Sequence, residues 1–244
     1  MQIFPLSEGS FSIDATKIFV PFDKETDDLQ ERPRGSLLVE VQPFLIKTDS
    51  EIIVLDTGLG FEIDGMMQIQ KNVRSLGIEP EEVTIVLLSH LHKDHGSGMR
   101  QLVDGEVVLS FPNAKYYVNE NEYDHAMDET SLSYVKEDID WIGTHPNIML
   151  TPDKGVIGDL INYEVCGGHS RFHQVFWIRE DGETIFFGAD VAPQLQQMRN
   201  RIIAKYDFDG RRSMELRQEW WEKAAKEHWT ILFYHDLKSP TVKL

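Results

Sequence analysis

His90-Leu91-His92-Lys93-Asp94-His95 places three imidazoles and a carboxylate within six residues. The apolar run Val83-Thr84-Ile85-Val86-Leu87-Leu88-Ser89 leads into it and reads as a buried strand. Gly96-Ser97-Gly98-Met99 follows, with small residues that let a backbone turn tightly or come close to a bound ion. Neutral imidazole and carboxylate are the ligands that borderline cations such as Zn²⁺ prefer. A lone histidine is more often a satisfied core or surface group, but four such side chains at this spacing predict a metal site at a strand end.

Composition narrows what the site can serve. The chain has 244 residues, enough for a sizeable core, with 41% apolar and 27% charged residues, an ordinary globular balance. No apolar run is long enough to cross a bilayer, so no membrane partner is expected. Met1-Gln2-Ile3-Phe4-Pro5 lacks the basic start and apolar stretch of a secretory signal. Cys166 is the single cysteine, which rules out an intramolecular disulfide. These features favour the cytoplasm. The formal charge of −17 repels phosphate backbones and anionic lipid, and Arg199 to Arg201 or Arg211-Arg212 is too short a basic strip to overturn that. The expected partner is a small molecule, not a nucleic acid.

Along the chain, Ser36 to Lys47 reads as a strand with an edge or bulge at Pro43, and Glu51 to Leu55 as its hairpin partner across Asp49-Ser50. Asp56-Thr57-Gly58 follows. Asp56 could cap the next segment or accept a hydrogen bond from a metal-binding imidazole. Met66, Ile69, Val73 and Leu76 mark one helix face ending at Gly77. Val107–Ser110 and Lys115–Val118 read as strands. Asn119 caps a helix with acids in its first turn, and Leu132, Val135, Ile139 and Ile142 suggest another. Gly143 to Gly158 reads as a loop. Three later strands each end at a candidate ligand: Leu160–Val165 leads to His169, Thr184–Ala189 to Asp190, and Thr230–Tyr234 to His235. A helix over Ser213–Glu227, with Leu216, Trp220 and Ala224 on one face, separates the last two.

This order of motifs resembles the metallo-β-lactamase superfamily: H-x-H-x-D-H, the later Gly168-His169, the strand-terminal Asp190 and the last strand-terminal His235, with Asp56-Thr57-Gly58 matching its early D-T-G. The resemblance covers roughly Leu37 to Asp236. It implies a four-layered αββα sandwich, an α/β fold, with residues 1–244 forming one domain and the site at one edge of the two sheets. It also implies two divalent ions, zinc being expected. One would take His90, His92 and His169, the other Asp94, His95 and His235, with Asp190 bridging. His173 lies where related hydrolases place a ligand-supporting histidine in T-P-G-H, although here the segment is Ser170-Arg171-Phe172-His173. His125, His145 and His228 read as surface residues, and Cys166 as a small buried strand residue.

Two such ions can share a water and yield hydroxide near neutral pH for attack on a carbonyl. Asp94 would orient it and then shuttle a proton, so it is the candidate catalytic residue. Hydrolysis of a lactone or other ester is the leading expectation. Chain length, the His169–Asp190–His235 spacing and Gly77-Ile78-Glu79-Pro80-Glu81-Glu82 are similar to N-acyl-homoserine-lactone hydrolases. Those enzymes carry a tyrosine three residues after the bridging aspartate, where this chain has Pro193; Tyr206 is the candidate substitute. Aryl-ester, phosphotriester and thioester hydrolysis are the alternatives on the same fold. Glyoxalase II-like enzymes add a helical domain where only nine residues follow His235. Exported β-lactamases carry a signal, and nucleases a basic track. A mononuclear iron sulfur dioxygenase keeps a similar cluster, whereas flavodiiron proteins have Glu where His92 stands. A binding protein with a vestigial site is the non-enzymatic alternative.

Overall fold

Along Phe44–Lys47, Ile52–Leu55 and Ile85–Leu87, apolar side chains alternate between two buried faces. Leu45, Val54 and Val86 turn to one core, while Phe44, Ile46, Ile53, Leu55, Ile85 and Leu87 turn to another. A strand buried on both faces needs a layer on each side, and the computed structural model, which describes Met1–Leu244, supplies them. The first core is closed by helices Gln68–Ser75 and Glu120–Asp128, through Ile69, Val73 and Ala126. The second lies between two six-stranded sheets, where Phe44 and Phe187 meet edge to face. The third packs Trp177, Phe186 and Ile231 against Leu216, Trp220 and Ala224 of helix Gly210–Glu227. The result is the expected four-layered αββα sandwich.

The first sheet runs Gln2–Pro5, Phe44–Lys47, Ile52–Leu55, Ile85–Leu87, Lys115–Asn119, Ile148–Thr151. Its last four strands are parallel, so they end at one edge. The second runs Lys154–Ile157, Ile161–Val165, Gln174–Glu180, Glu183–Phe187, Thr230–Leu232, Thr241–Lys243, with Glu183–Phe187 and Thr230–Leu232 parallel. Loops at such carboxyl ends are where sheet-based folds collect function. A three-stranded sheet (Val20–Pro21, Gly9–Ile13, Leu37–Val41) stands beside them.

Four local expectations are corrected. Ser36 to Lys47 is two strands in different sheets: the chain changes sheet at Gln42-Pro43, where Pro43 has no N–H for a ladder. Leu132 to Ile142 holds only the short helix Lys136–Ile139 and a 3₁₀ turn at Ile142–Thr144. Leu132 is 63% exposed there, and Ser133 accepts a hydrogen bond from the Lys93 N–H, so that backbone belongs to the site. The stretch from Gly143 to Gly158 contains the edge strands Ile148–Thr151 and Lys154–Ile157; each buries a single residue, too little to leave an apolar pattern. The long helix begins at Gly210, three residues before Ser213, because Asp209 caps it by accepting from the Arg212 N–H at 2.9 Å. Strand Gln174–Glu180, buried over its first five residues, was not anticipated.

Gly98 shows why small residues follow the histidines. A Cβ there would overlap the carbonyl oxygen of Thr57, so the Asp56-Thr57-Gly58 turn and the histidine segment touch backbone to backbone. Gly98→Ala should cost about 3 kcal/mol or more. Gly105→Ala, with open space around it and a φ of +84°, should cost only about 1 kcal/mol. Urea denaturation of both variants checks the contrast.

Candidate metal centre

The candidate ligand side chains stand on segments that follow strand ends. His90 follows Ile85–Leu87, Asp190 follows Glu183–Phe187 on a 3₁₀ turn, and His235 follows Thr230–Leu232. His92 precedes a single helical turn, Lys93–Gly96, that carries Asp94 and His95. His169 lies between Ile161–Val165 and Gln174–Glu180, where Gly167 and Gly168 take φ values of +67° and +91°. Those glycines provide the turn that the missing Pro and Gly of the Ser170–His173 segment put in question. Its close is tied by Cys166 N–H to the His173 carbonyl at 2.9 Å.

All seven expected ligand residues converge. His90, His92 and His169 form one group able to hold an ion, and Asp94, His95 and His235 a second; His90, His95 and Asp190 form a third that joins them. His92 Nδ1 lies 3.0 Å from His90 Nε2 and 3.1 Å from His169 Nε2. Asp190 faces both groups, with Oδ2 3.2 Å from His169 Nε2 and Oδ1 3.2 Å from His95 Nε2 and 3.0 Å from His235 Nε2. Asp94 Oδ2 is 3.5 Å from both His95 Nε2 and His235 Nε2. His95 Nε2 and Asp190 Oδ1 are buried and make no well-formed hydrogen bond. Buried polar atoms are rarely left so, and a cation between them would satisfy both. The donor set therefore fits divalent ions.

Four of the five rings are held by the protein on the side away from the cluster, His90 by the Ser89 hydroxyl 3.0 Å from its Nδ1. His95 Nδ1 bonds Asp56 Oδ2 at 2.7 Å, and Asp56 also accepts from the Ser89 N–H and hydroxyl, each at 2.7 Å. Of the two roles open to Asp56, orienting an imidazole is the one found, from a strained φ of +55°. His235 Nδ1 donates to the Glu40 carbonyl at 2.6 Å, and Tyr234 stacks on His95 while donating to the Asp94 carbonyl at 2.6 Å. His173, fully buried, accepts the Asp190 N–H at Nε2 (3.3 Å) and stands 4.9 Å from His90, ring to ring. His125 and His145 are half-buried, and only His228 is exposed. Cys166 is half-buried beside His173, and burial pushes its thiol pKa up, which disfavours the thiolate.

Sequence reasoning missed three groups. Asp207 bonds His169 Nδ1 at 3.0 Å. Glu122, 1% exposed, accepts from the Leu91 N–H, Tyr134 hydroxyl and Ser170 hydroxyl at 3.0–3.2 Å, tying the first histidine segment to the His169 loop. Tyr134 packs on His92 with ring centroids 4.7 Å apart. Glu122 was legible only as an acid in a helix's first turn, and no local signal marks Asp207 or Tyr134.

Burial and neighbouring imidazoles hold His90, His92 and His173 well below the ordinary histidine value of 6.5. Burial also disfavours charge on His95 and His235, but the carboxylates of Asp190 and Asp94 outweigh it and raise both. Burial works against the Asp190 carboxylate too, yet the His235, His95 and His169 charges pull it well below 3.8. Burial lifts Glu122 to about 7 against its three hydrogen bonds.

A cavity of about 790 Å³ opens over this centre, with His92, Asp94, His169, Asp190 and His235 in its lining. Phe19, Leu38, Val39 and Ile202 form an apolar part of its wall. Tyr206 lines it as well, accepting from Gln197 Nε2 at 3.0 Å with its ring 5.9 Å from His169. Burial pushes its phenol up to about 12, so it is an O–H donor at neutral pH.

Two stability measurements test this arrangement. Glu122→Ala strands three buried donors and should cost about 3 kcal/mol in urea denaturation, with Glu122→Gln retaining most of the loss. In metal-depleted protein the buried rings make stability depend on pH on either side of the ordinary histidine value of 6.5. Below it the unfolded chain takes up protons that folded His90, His92 and His173 refuse, at up to about 1.4 kcal/mol per pH unit per ring. Above it the stability contributed by protonated His95 and His235 is lost as pH rises toward their raised values. His173→Gln should flatten the acid limb in urea midpoints taken across pH.

Comparison with known proteins agrees with this geometry. The family model for the metallo-beta-lactamase superfamily matches residues 38–235. N-acyl homoserine lactonase AiiA of Bacillus thuringiensis subsp. kurstaki is 24% identical over 226 residues, 84% of each chain. N-acyl homoserine lactonase AttM of Rhizobium johnstonii is 28% identical over 145 residues, 54% of this chain, and the match spans about half (49%) of that relative. Among solved structures, a probable metal-dependent hydrolase from Staphylococcus aureus superposes with a TM-score of 0.80 at 21% identity, covering 99% of this chain and 91% of the other. AidC, a dizinc quorum-quenching lactonase, gives 0.72 at 17% identity, covering 98% and 88%. With the αββα sandwich and the convergent His and Asp groups already in view, the match over residues 38–235 places this chain in the metallo-beta-lactamase superfamily.

Proposed function

We propose that the chain hydrolyses a lactone or other carboxylic ester at two divalent ions, zinc being expected, and that residues 1–244 act as one domain. His90, His92 and His169 would hold one ion and Asp94, His95 and His235 the other. The observation that carries this reading is the split carboxylate of Asp190, whose two oxygens face different histidines at 3.0–3.2 Å. A structural zinc site closes with four ligands around one ion, whereas seven convergent residues exceed that need. Bound there, two ions lower the pKa of water and act as Lewis acids toward a carbonyl oxygen.

The chain's own residues do the rest. Asp94, 8% exposed on the cavity wall, takes the water's proton and returns it to the leaving alcohol. Tyr206 takes the place of the tyrosine that Pro193 displaces and donates to the carbonyl oxygen as charge develops there. Asp207, Asp56 and the Glu40 carbonyl keep His169, His95 and His235 in one ring orientation. The apolar wall excludes water and receives the acyl group. The lactonase names of the relatives support an ester or lactone substrate.

Purified protein, with metals quantified, is to be screened against N-acyl homoserine lactones, aryl esters, thioesters and phosphotriesters. Two zinc per chain with ester or lactone turnover is the expected result; one iron per chain with oxygen uptake would instead identify a sulfur dioxygenase. His92→Ala and Asp190→Asn should abolish hydrolysis, a loss of about a thousandfold or more in kcat, while circular dichroism stays near that of the parent. Undiminished turnover by metal-depleted Asp190→Asn protein would overturn the mechanism. Tyr206→Phe should lower kcat by about ten- to a hundredfold with little change in metal content.

A further inference from the structure

The proposed hydrolase centre sits in a cavity whose spare charge is positive. Lys17, Lys93 and Lys205 line it, and Lys17 and Lys93 are half-buried. None of the three forms an ion pair, unlike Lys24, Lys71 and Lys243, which meet Glu40, Asp64 and Glu183. The acids of the lining are Asp14, Asp94 and Asp190. Asp14 accepts the Thr16 N–H at 2.9 Å and hydroxyl at 2.6 Å on one carboxylate oxygen, and the other two belong to the groups able to hold an ion. No acid of the lining forms an ion pair with Lys17, Lys93 or Lys205; Asp94 and Asp190 meet only His95, His169 and His235. In a chain with 41 acids against 24 Lys and Arg, cations gathered beside a cation-binding centre are an arrangement that evens out only when something anionic arrives.

The position of Lys17 strengthens the point. It has a φ of +57°, in a turn closed by its own N–H to the Asp14 carbonyl at 3.1 Å. That left-handed backbone is uncommon for a residue with a side chain. Lys17 also borders a smaller adjoining hollow of about 360 Å³, together with Arg171, His92, His169 and Tyr206. In that hollow Glu129 lies 3.7 Å from His125, and Asp207 bonds His169. Lys17 therefore borders both hollows, with Lys93 and Lys205 in one and Arg171 in the other.

Resting on the hydrolase reading above, we infer that the substrate is an ester or lactone that also carries an anionic group, carboxylate or phosphate, bound by Lys17 with Lys93 and Lys205 beside the metal centre. Water adds across the acyl C–O bond, giving a carboxylate, an alcohol and one proton, and the remote anion is unchanged. Phe19, Leu38, Val39 and Ile202 accommodate the apolar chain between the two ends.

The test compares the para-nitrophenyl monoester of adipic acid, which is anionic, with para-nitrophenyl hexanoate, its neutral counterpart of equal chain length. The zinc-loaded protein should favour the adipate ester in kcat/KM by about tenfold or more, the scale of one hydrogen bond to a charged group. That ratio should fall with added salt, drop about tenfold in Lys17→Ala, invert in Lys17→Glu and recover in Lys17→Arg. Lys226→Ala, on the long helix away from the cavity, is the control. Calorimetric titration with adipate, phosphonohexanoate and hexanoate gives a readout independent of turnover and separates carboxylate from phosphate preference. Equal ratios for the two esters, unmoved by the Lys17 variants, overturn the anion inference and leave the hydrolase reading standing. If neither ester is turned over, the hydrolase reading fails for this class. The titration then decides alone: adipate or phosphonohexanoate binding tighter than hexanoate and weakened in Lys17→Glu upholds the anion site, and equal binding overturns it.

Discussion

Five imidazoles and two carboxylates are drawn together with their coordinating atoms facing one another, largely out of reach of water. Uncompensated, such an assembly is expensive: neutral rings cannot all donate to each other, and buried carboxylates need counter-charge. The surrounding protein responds on the outer side of the cluster alone. Asp56, Asp207 and the Glu40 carbonyl each take one ring nitrogen that faces away from the centre. The inward atoms, Asp190 Oδ1 and His95 Nε2 among them, are left without a well-formed hydrogen bond. This division between outward and inward atoms is what the rest of the fold serves.

The sandwich meets that requirement through strand direction. Parallel neighbours in each sheet finish at the same edge, so His90 and Asp56 from one sheet and Asp190 and His235 from the other meet without long loops. Backbone contact does the fine placement. Gly98 against Thr57 and the left-handed Asp56 bring the D-T-G turn beneath the histidine segment, where a side chain at position 98 would not fit. Glu122 adds a strut from a helix of the outer layer, bonding Leu91 on one side and Ser170 on the other. The placement of the His and Asp cluster thus depends on residues that do not touch its inward-facing atoms.

The charge of the molecule is unevenly used. A surface at −17 overall discourages polyanions, yet the lining of one cavity gathers three lysines that form no ion pair. Long-range repulsion and local attraction act over different distances, since salt screens the first beyond about 8–10 Å while partly buried charges feel little screening. A small anionic substrate and an acidic surface are therefore compatible.

The convergence of these His and Asp side chains was legible from residue type and order, because a strand-terminal His or Asp needs only the strand's direction to reach a sheet edge. The layers were legible from apolar alternation at residues such as Ile53, Val54 and Leu55, which bury both faces. Weakly buried pieces escaped: the edge strands at Ile148–Thr151 and Lys154–Ile157 each bury one residue, and the predicted helix at Leu132 yielded to hydrogen bonds made with the site. Asp207, Glu122, Tyr134 and the lysines around the cavity were decided by tertiary structure alone. Their roles depend on distances between segments tens of residues apart, which no local pattern of polarity encodes. Sequence by itself determined which atoms can bind metal and on which fold; the packing of distant segments determined what orients those atoms and what charge a substrate meets beside them.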